Sequence, residues 1–449
     1  MPSIKQHIQT VSLALEQAID FHAGGDPQRA QEIYRTVLAD DPSNAVALHY
    51  LGIYLFQAGD HEKGLAHIRL SCELEPENSG WQNDLGNVLF ALERFELAME
   101  SYQGALQLSP RDPDIWNNLG SAHLKLGDQD TAIIAFRQAI EIAPEFSPAL
   151  ENLGAVYEAR GNKFESSVYQ CRAFVLPTHE GKSKQMLGIC FYFLGRLQEA
   201  AEIYQSWLED EPNHPIATHM YAACSQSDVP KRASNEYLEE HFDHLAKNFD
   251  VNLLQNLDYG GPLLISQAMA EITKPARQYN ILDIGCGTGL CAPHLAPYAW
   301  YLIGVDLSAK MLERAAALHL YDVLEKQEIT HYLAVCPDTF DIVAACDTLI
   351  YFGDLNQLFD GVARVLKPGG YFVFTTESII RPEESTGYQL HASGRYRHAE
   401  TYVDRILRKF GFELRFSRLA KIRDEAGTPI TGTVVTVQKI QPPHVQASA

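Results

Sequence analysis

The sequence predicts a helical-repeat solenoid followed by an open α/β domain, and two observations carry that prediction. Upstream, Leu51, Leu85, Leu119, Leu153 and Leu187 recur every 34 residues, each followed by a glycine. Downstream, Ile281 to Ile284 reads as a buried strand entering the run Gly285-Cys286-Gly287-Thr288-Gly289, and a second apolar run, Trp300 to Val305, ends in Asp306. A fixed period of this length marks helix pairs that stack because no single pair buries its apolar face alone. A strand feeding a glycine loop, then a strand ending in an acid, begins a parallel sheet with a ligand at its carboxyl edge.

Each repeat has the same internal grammar. Twelve residues after the glycine stands Gly64, Ala98, Ala132, Ser166 or Ala200, and prolines close the units at Pro42, Pro76, Pro110, Pro144 and Pro212, with Pro177 one position early. Small residues let two helices approach, and proline cannot continue the second. The first unit, from about residue 11 to 44, has Ala18, Phe21, Ala30, Tyr34 and Pro42 in register, so six units run to about residue 214. His214 to Ser225 then supplies a capping helix. Unit five is the weakest, with Ser166 for alanine, Gln170 for the usual aromatic and a displaced terminator.

This pattern resembles the tetratricopeptide repeat. The resemblance implies a concave surface that holds an extended peptide or a partner segment. Asn83, Asn87, Asn117, Asn118, Asn152 and Tyr157 are the candidates to face it, the alternative being solvated side chains or contacts to the neighbouring domain. Trp81, Trp116, Tyr102 and Phe136 read as core.

The glycine loop points to a cofactor. Alternate glycines let the backbone turn through positive φ and bring its N–H groups close to a ligand. The spacing departs from the Gly-x-Gly-x-x-Gly of dinucleotide sites, and Asp283 before it suits a ligand carrying positive charge. Asp306, ending the second strand, is placed to accept hydrogen bonds from two ribose hydroxyls. LDIGCGTG and GVDLS resemble the first two motifs of class I S-adenosylmethionine-dependent methyltransferases. That resemblance implies S-adenosyl-L-methionine as cofactor and a Rossmann-like, seven-stranded sheet whose last strand is antiparallel. It also implies a cofactor-binding set of Asp283, Gly285, Cys286, Gly287, Gly289, Asp306, Leu307, Met311, Glu328, Ile329 and Asp347. Within it Glu328 is expected to accept from the adenine amino group and Ile329 to lie beside the ring, while Cys286 reads as a packing residue.

Composition bounds the rest. With 36 Lys+Arg against 57 Asp+Glu, a formal net charge of −21, the chain lacks the basic excess that phosphate neutralisation requires, so no nucleic-acid partner is expected. No apolar run approaches the ~20 residues of a membrane span, and MPSIKQHIQT lacks a signal-peptide core, so a cytoplasmic protein is expected. Eight scattered cysteines show no metal-ligand spacing; reduced, buried thiols and no metal are expected. One stretch is basic, Arg395 to Arg423. A solvated face and an anion-selective substrate rim both fit it.

These readings divide the chain into a solenoid at 1–225, a linker at 226–236, a methyltransferase domain at 237–440 and a flexible tail at 441–449. The stretch Tyr237, Leu238, Phe242, Leu245, Phe249, Leu253, Leu254 and Leu257 has helical spacing. Its Phe242-Asp243 and Phe249-Asp250 pairs resemble a segment preceding the first strand in a group of bacterial predicted methyltransferases that carry tetratricopeptide repeats, which implies a lid. Leu245 stands where that group has tyrosine. Further strands are expected at 322–326, 340–346, 371–376, 413–419 and 432–438, with a turn at Leu366 to Gly370 and a helix from Glu400 to Phe410. Tyr388, Leu390, Ser393-Gly394-Arg395-Tyr396 and His398 also resemble the group's pattern. His398 is the candidate base or substrate hydrogen-bond partner, equally a cap for the helix near Glu400. Tyr351 is the second catalytic candidate, and Arg395 and Tyr396 are candidate substrate-binding residues, Arg395 as an anion anchor. A base is needed only if the acceptor arrives with its proton. The function expected is methyl transfer to a protein or peptide recruited by the repeats. A small-molecule methyltransferase with repeats used for assembly, and a non-catalytic scaffold with a cofactor-sensing domain, are the alternatives.

Overall fold

A computed structural model describes residues 4–251, 253, 257–379, 387–425 and 428–440. Leu254, residues 426–427 between the last two expected strands and the expected tail 441–449 lie outside the described residues. The chain separates into two compact units, Met1–Leu176 and Pro177–Ala449.

Among the described residues the first unit has five antiparallel helix pairs, from Ile4–Ala23 with Pro27–Asp40 to Ser147–Ala159 with Lys163–Phe174. Acids and asparagines start the helices: Asp26, Asn44, Asn78 and Asp128 each accept the N–H three residues on. The repeated glycine explains the spacing. A Cβ on Gly86 would stand 2.4 Å from the ring of Tyr102, and one on Gly120 2.7 Å from Phe136, so the ring of each second helix lies flat against the backbone of the first. Tyr102 and Phe136 are core, as expected, whereas Trp81 and Trp116 are only half buried. In the fifth pair Gln170 occupies the ring's place and donates instead to Glu158 (2.7 Å) and Ser166 (2.9 Å). The boundary between the compact units follows that pair, at the displaced proline.

The asparagines form a ladder rather than standing free. Asn118 Nδ2 donates to Asn83 Oδ1 (3.0 Å) and Asn87 Oδ1 (3.1 Å), and Asn152 Nδ2 to Asn117 Oδ1 (2.9 Å). Tyr157 is buried and takes a bond from Arg137. Asn87, Asn118 and Asn152 border a cavity of about 440 Å³ floored by Tyr102 and Phe90.

The second unit contains the sixth helix pair, Lys184–Phe193 and Leu197–Asp210, the capping helix Pro215–Ser225, and a sheet. Among the described residues that sheet has nine strands: β1 Tyr279–Ile284, β2 Ala299–Asp306, β3 Val323–Lys326, β4 Phe340–Ala345, β5 Leu366–Ser378, β6 Tyr388–Leu390, β7 Tyr396–His398, β8 Phe412–Glu425 and β9 Thr428–Lys439. The order is β3-β2-β1-β4-β5, parallel throughout, with β9 antiparallel to β5 and β8 beyond it. These are the seven expected strands with an antiparallel last one. The extra two, β6 and β7, form a short hairpin whose β7 runs parallel to the far end of β5. The expected turn at 366–370 lies inside β5, where the pairing with β4 slips and Gly369 takes φ +81°. Apolar layers cover both faces, one with Leu282, Val343 and Phe374, the other with Ile281, Ala344 and Val373, as the alternation of a strand requires.

The capping helix is bound to the hairpin. His219 Nε2 donates to Gly394 O (2.8 Å), Gln226 Nε2 to Leu390 O (2.9 Å), and Ala222 and Ala223 pack on Leu390 and Tyr396. Gly394 has φ +81°, and a Cβ there would stand 2.9 Å from Met220 Sδ. The expected linker is also pinned: Ala233 is fully buried, Arg232 bridges to Phe352, Gly353 N and Asp354 N donate to Lys231 O, and Tyr396 Oη donates to Pro230 O (2.7 Å). A chain begun at residue 235 therefore loses the cover over Leu390 and Tyr396. We expect residues 177–449 to fold cooperatively and residues 235–449 to aggregate or melt far earlier; differential scanning fluorimetry of the two fragments checks this, and equal midpoints would refute it.

Candidate active site

At the carboxyl edge of β1, β2 and β4 lies a cavity of about 310 Å³. Its floor is the glycine loop. Gly285, Gly287 and Gly289 have φ of +70°, +54° and +85°. A Cβ on Gly285 would meet Thr348 Oγ1 at 2.5 Å, whereas above Gly287 there is open space. The loop is therefore packed tightly beneath its first glycine and open toward the cavity at its second.

Two acids frame this floor. Asp283 is 1% exposed and, among the described residues, accepts only from Tyr321 Oη (2.7 Å). Burial pushes its carboxyl up to about 7, which the Tyr321 bond opposes and nearby Asp306 reinforces. Asp306 accepts from Gly287 N and Ser308 N, both at 2.9 Å, one on each oxygen. One lone pair per oxygen remains, which is what two ribose hydroxyls require. Burial raises the Asp306 carboxyl too, against the pull of those N–H groups. Leu307, Met311 and Ile329 supply apolar walls. Cys286 lines the loop as a thiol, its pKa driven well up by burial.

Glu328 lines the cavity in a different role from the expected one. Its Oε1 accepts from Thr330 N (3.0 Å) and Arg232 Nη1 (2.7 Å), its Oε2 from Thr330 Oγ1 (2.6 Å) and His331 N (2.8 Å). All four lone pairs are used, so an adenine amino group finds none. Glu328 caps the helix Ile329–Val335 and holds the segment at Arg232.

The roof is the segment from Asn235 onward. The helix Asn235–Leu245 and the turns after it present Leu238, Phe242, Leu245, Phe249 and Leu253 to the cavity. The two Phe-Asp pairs fasten it. Asp243 accepts from Ser308 Oγ (2.5 Å); Asp250 accepts from Thr288 Oγ1 (2.5 Å) and Arg314 Nη2 (2.7 Å). Each phenylalanine faces inward while the acid after it ties the strap to the loop side.

The far end of the cavity is ionic. Arg423, 2% exposed, meets Asp347 (Nη1 to Oδ2, 2.9 Å), Glu425 (Nε to Oε1, 3.0 Å) and Glu377. Arg395 pairs with Glu425, and Arg397 lies 3.5 Å from Glu377. Three arginines thus balance three carboxylates, as burial demands. Asp347 has φ +53°, its N–H held by Thr375 Oγ1 (2.8 Å), and burial lifts its pKa against the pull of Arg423. Arg395 and Tyr351 line the cavity beside one another. The basic stretch is therefore divided: Arg395, Arg397 and Arg423 join this cluster, while Arg408, Arg415 and Lys421 make surface pairs.

Two candidates lie elsewhere. His398 is outside the cavity lining, 2% exposed, with Nε2 donating to Phe352 O (2.7 Å) and its ring stacked on Tyr402; burial lowers its pKa to about 4. It neither reaches an acceptor nor caps the following helix, whose start has no side-chain cap. Tyr396 is fully buried and bonded to Pro230 O. Both anchor the hairpin from which Arg395 reaches the cavity. Tyr321, Glu377 and Glu425 had no signal in the sequence, because only the turn before β3 and the register of β5 and β8 bring them in, and Arg423 was visible only as the end of the basic stretch.

Residues 282–374 match the family model described as methyltransferase domain. Residues 86–127, 113–146 and 15–79 match tetratricopeptide-repeat models. Residues 282–374 therefore form a methyltransferase domain, joined in this chain to tetratricopeptide repeats. It is 35% identical over 107 residues to the ubiquinone biosynthesis O-methyltransferase of Thiobacillus denitrificans, covering 23% of this chain and 46% of that one. It is 27% identical over 160 residues to the uncharacterized methyltransferase YodH of Bacillus subtilis, covering 34% and 68%. A solved S-adenosylmethionine dependent methyltransferase from Mesorhizobium loti is 24% identical, with a TM-score of 0.33 over 38% of this chain and 96% of that one. The chain spans under half the length of the first of these relatives.

S-adenosylmethionine fits the cavity floor. Asp306 has the acceptors for the ribose, Asp283 is a buried acid without a counter-ion among the described residues, and Gly287 leaves backbone exposed beneath. A cationic ligand favours ionised Asp283. Without one, the raised pKa means the folded state holds a proton that the unfolded chain releases above ~4. Its contribution is thus fully present below pH ~4 and lost as pH rises through about 7, a loss of up to roughly 4 kcal/mol. We expect Asp283→Asn to stabilise the cofactor-free protein at pH 8 relative to wild type, with little difference at pH 4. Urea unfolding at both pH values measures it; an equal difference at both would contradict this assignment.

Proposed function

We propose that the chain transfers the methyl group of S-adenosylmethionine to an acceptor entering at the Arg395 end, and that the repeats recruit a protein or peptide as substrate or partner. The observation that supports it most is the cavity itself, with a site for a cationic nucleoside at one end and a separate polar end at Asp347, Tyr351 and Arg395. The bound sulfonium supplies an already activated methyl group, so the protein's task is orientation and exclusion of water. In this reading Asp306 and the loop orient the nucleoside, Asp283 meets the positive end, and the strap with Phe242 and Phe249 keeps water out. The asparagine ladder and its cavity support peptide recruitment, since Asn87, Asn118 and Asn152 bring amide groups to one cavity, as a peptide backbone requires. Scattered cysteines without metal-ligand spacing fit the reducing cytoplasm, where we place the protein.

A small-molecule acceptor is the second reading, favoured by the likeness to an O-methyltransferase of ubiquinone biosynthesis. Labelled S-adenosylmethionine added to a lysate with the full chain, or with residues 177–449, separates them. Label in protein with the full chain only supports recruitment by the repeats; label in small molecules with both supports the second reading. Asp306→Ala is expected to lower cofactor affinity at least about tenfold, the equivalent of ~1.5 kcal/mol for a bond to a charged group. Unchanged affinity by titration calorimetry would remove Asp306 from the site, and no cofactor binding by the wild type would leave only a scaffold.

A further inference from the structure

An acceptor that arrives with a proton needs a base in the cavity, and His398 is not there. The proton-accepting side chains lining the cavity can be taken in turn. Glu328 has no vacant lone pair, Asp283 and Asp306 face the nucleoside end, and Asp347 is tied to Arg423. Tyr259 and Tyr351 keep their protons, because burial raises both. His241 remains. It projects from the strap helix into the cavity, between the rings of Tyr237 (centroids 5.4 Å) and Phe242 (5.3 Å), and has no hydrogen-bond partner among the described residues.

We propose that His241 is the catalytic proton acceptor and that the methyl acceptor presents a hydroxyl on an aromatic ring. The walls supply the first reason for a ring. Phe242 and Tyr351 meet edge to face at 5.4 Å, and Tyr259 lines the same cavity, an aromatic surface that favours a flat apolar body. The second reason is charge. Arg395 lines the same cavity and favours negative charge developing on the oxygen, which an aromatic ring delocalises. Burial, helped by that charge, lowers the imidazole pKa to about 4, so the neutral, proton-accepting form is the one present at neutral pH. In the step the acceptor O–H bond breaks, the proton passes to the vacant imidazole nitrogen, and an oxygen lone pair forms the new O–CH₃ bond. The donor sulfur keeps the C–S electron pair and leaves as a neutral thioether, and the imidazolium afterwards releases its proton to water.

This inference rests on methyl transfer as proposed above, and the test distinguishes the two. Full-length wild type and His241→Gln are compared by titration with S-adenosylhomocysteine and by transfer of labelled methyl to 4-methylphenol and to N-acetyltyrosinamide, both of which keep their proton at neutral pH. The imidazole nitrogen NMR signal of His241 is also followed as 4-methylphenol is added to the S-adenosylhomocysteine complex. We expect S-adenosylhomocysteine affinity within about twofold in both proteins and transfer about 100-fold slower in His241→Gln, the usual scale of a general base. The His241 signal should move on adding the phenol. Transfer to 4-methylphenol identifies a free phenol as the source, and transfer to N-acetyltyrosinamide alone a tyrosine side chain; both support the proposal. Undiminished transfer by His241→Gln, a still signal, or binding of S-adenosylhomocysteine with methylation of neither phenol overturns it. Failure of the wild type to bind S-adenosylhomocysteine removes the methyl-transfer reading itself.

Discussion

One buried charge organises the carboxyl edge of the sheet. Asp283, next to last in β1, lies almost wholly out of water, with a tyrosine hydroxyl as its one side-chain partner among the described residues and a carboxyl lifted to about 7. A carboxylate so placed is poorly solvated until a cation arrives, and the groups around it complete that demand. The loop turns through three positive φ values so that backbone, not side chains, borders the space beside the acid. Asp306 holds the loop at Gly287 N and leaves half its acceptors unused. The strap closes from above, fastened by acids that follow its inward-facing phenylalanines.

The acceptor end obeys a different rule, that buried charge be paired. Arg423 is inaccessible to water and satisfied by three carboxylates, so the cluster is a rigid frame. Arg395 joins it from the β6–β7 hairpin, and the hairpin is held by the capping helix through His219 and Gln226. The last helix of the repeat pattern thus contributes to the placement of a residue in the cavity. The sixth helix pair and the capping helix belong to the compact unit of the sheet for that reason.

Much of this was legible in the sequence because it is local. The 34-residue period follows from a ring lying on a glycine backbone within one helix pair, and the loop, Asp283 and Asp306 lie within a single strand-loop-strand unit. What was not legible is what register decides. His398 and Arg395 stand three residues apart in one motif, yet the alternation of a strand sends Arg395 to the cavity and buries His398 against Phe352 O. Glu328 is adjacent to the site in sequence, but Arg232, far upstream, takes its last lone pair. The chemistry of His241 is equally silent, since a histidine on an amphipathic helix says nothing of which face meets a cavity.

Ionisation of Asp283 on receiving a cationic nucleoside is directly measurable. Titration calorimetry with S-adenosylmethionine at pH 7, repeated in buffers of different ionisation enthalpy, counts the protons exchanged on binding. We expect net proton release by the wild type that disappears in Asp283→Asn. Binding with no linked proton, or with the same proton count in both proteins, would contradict it.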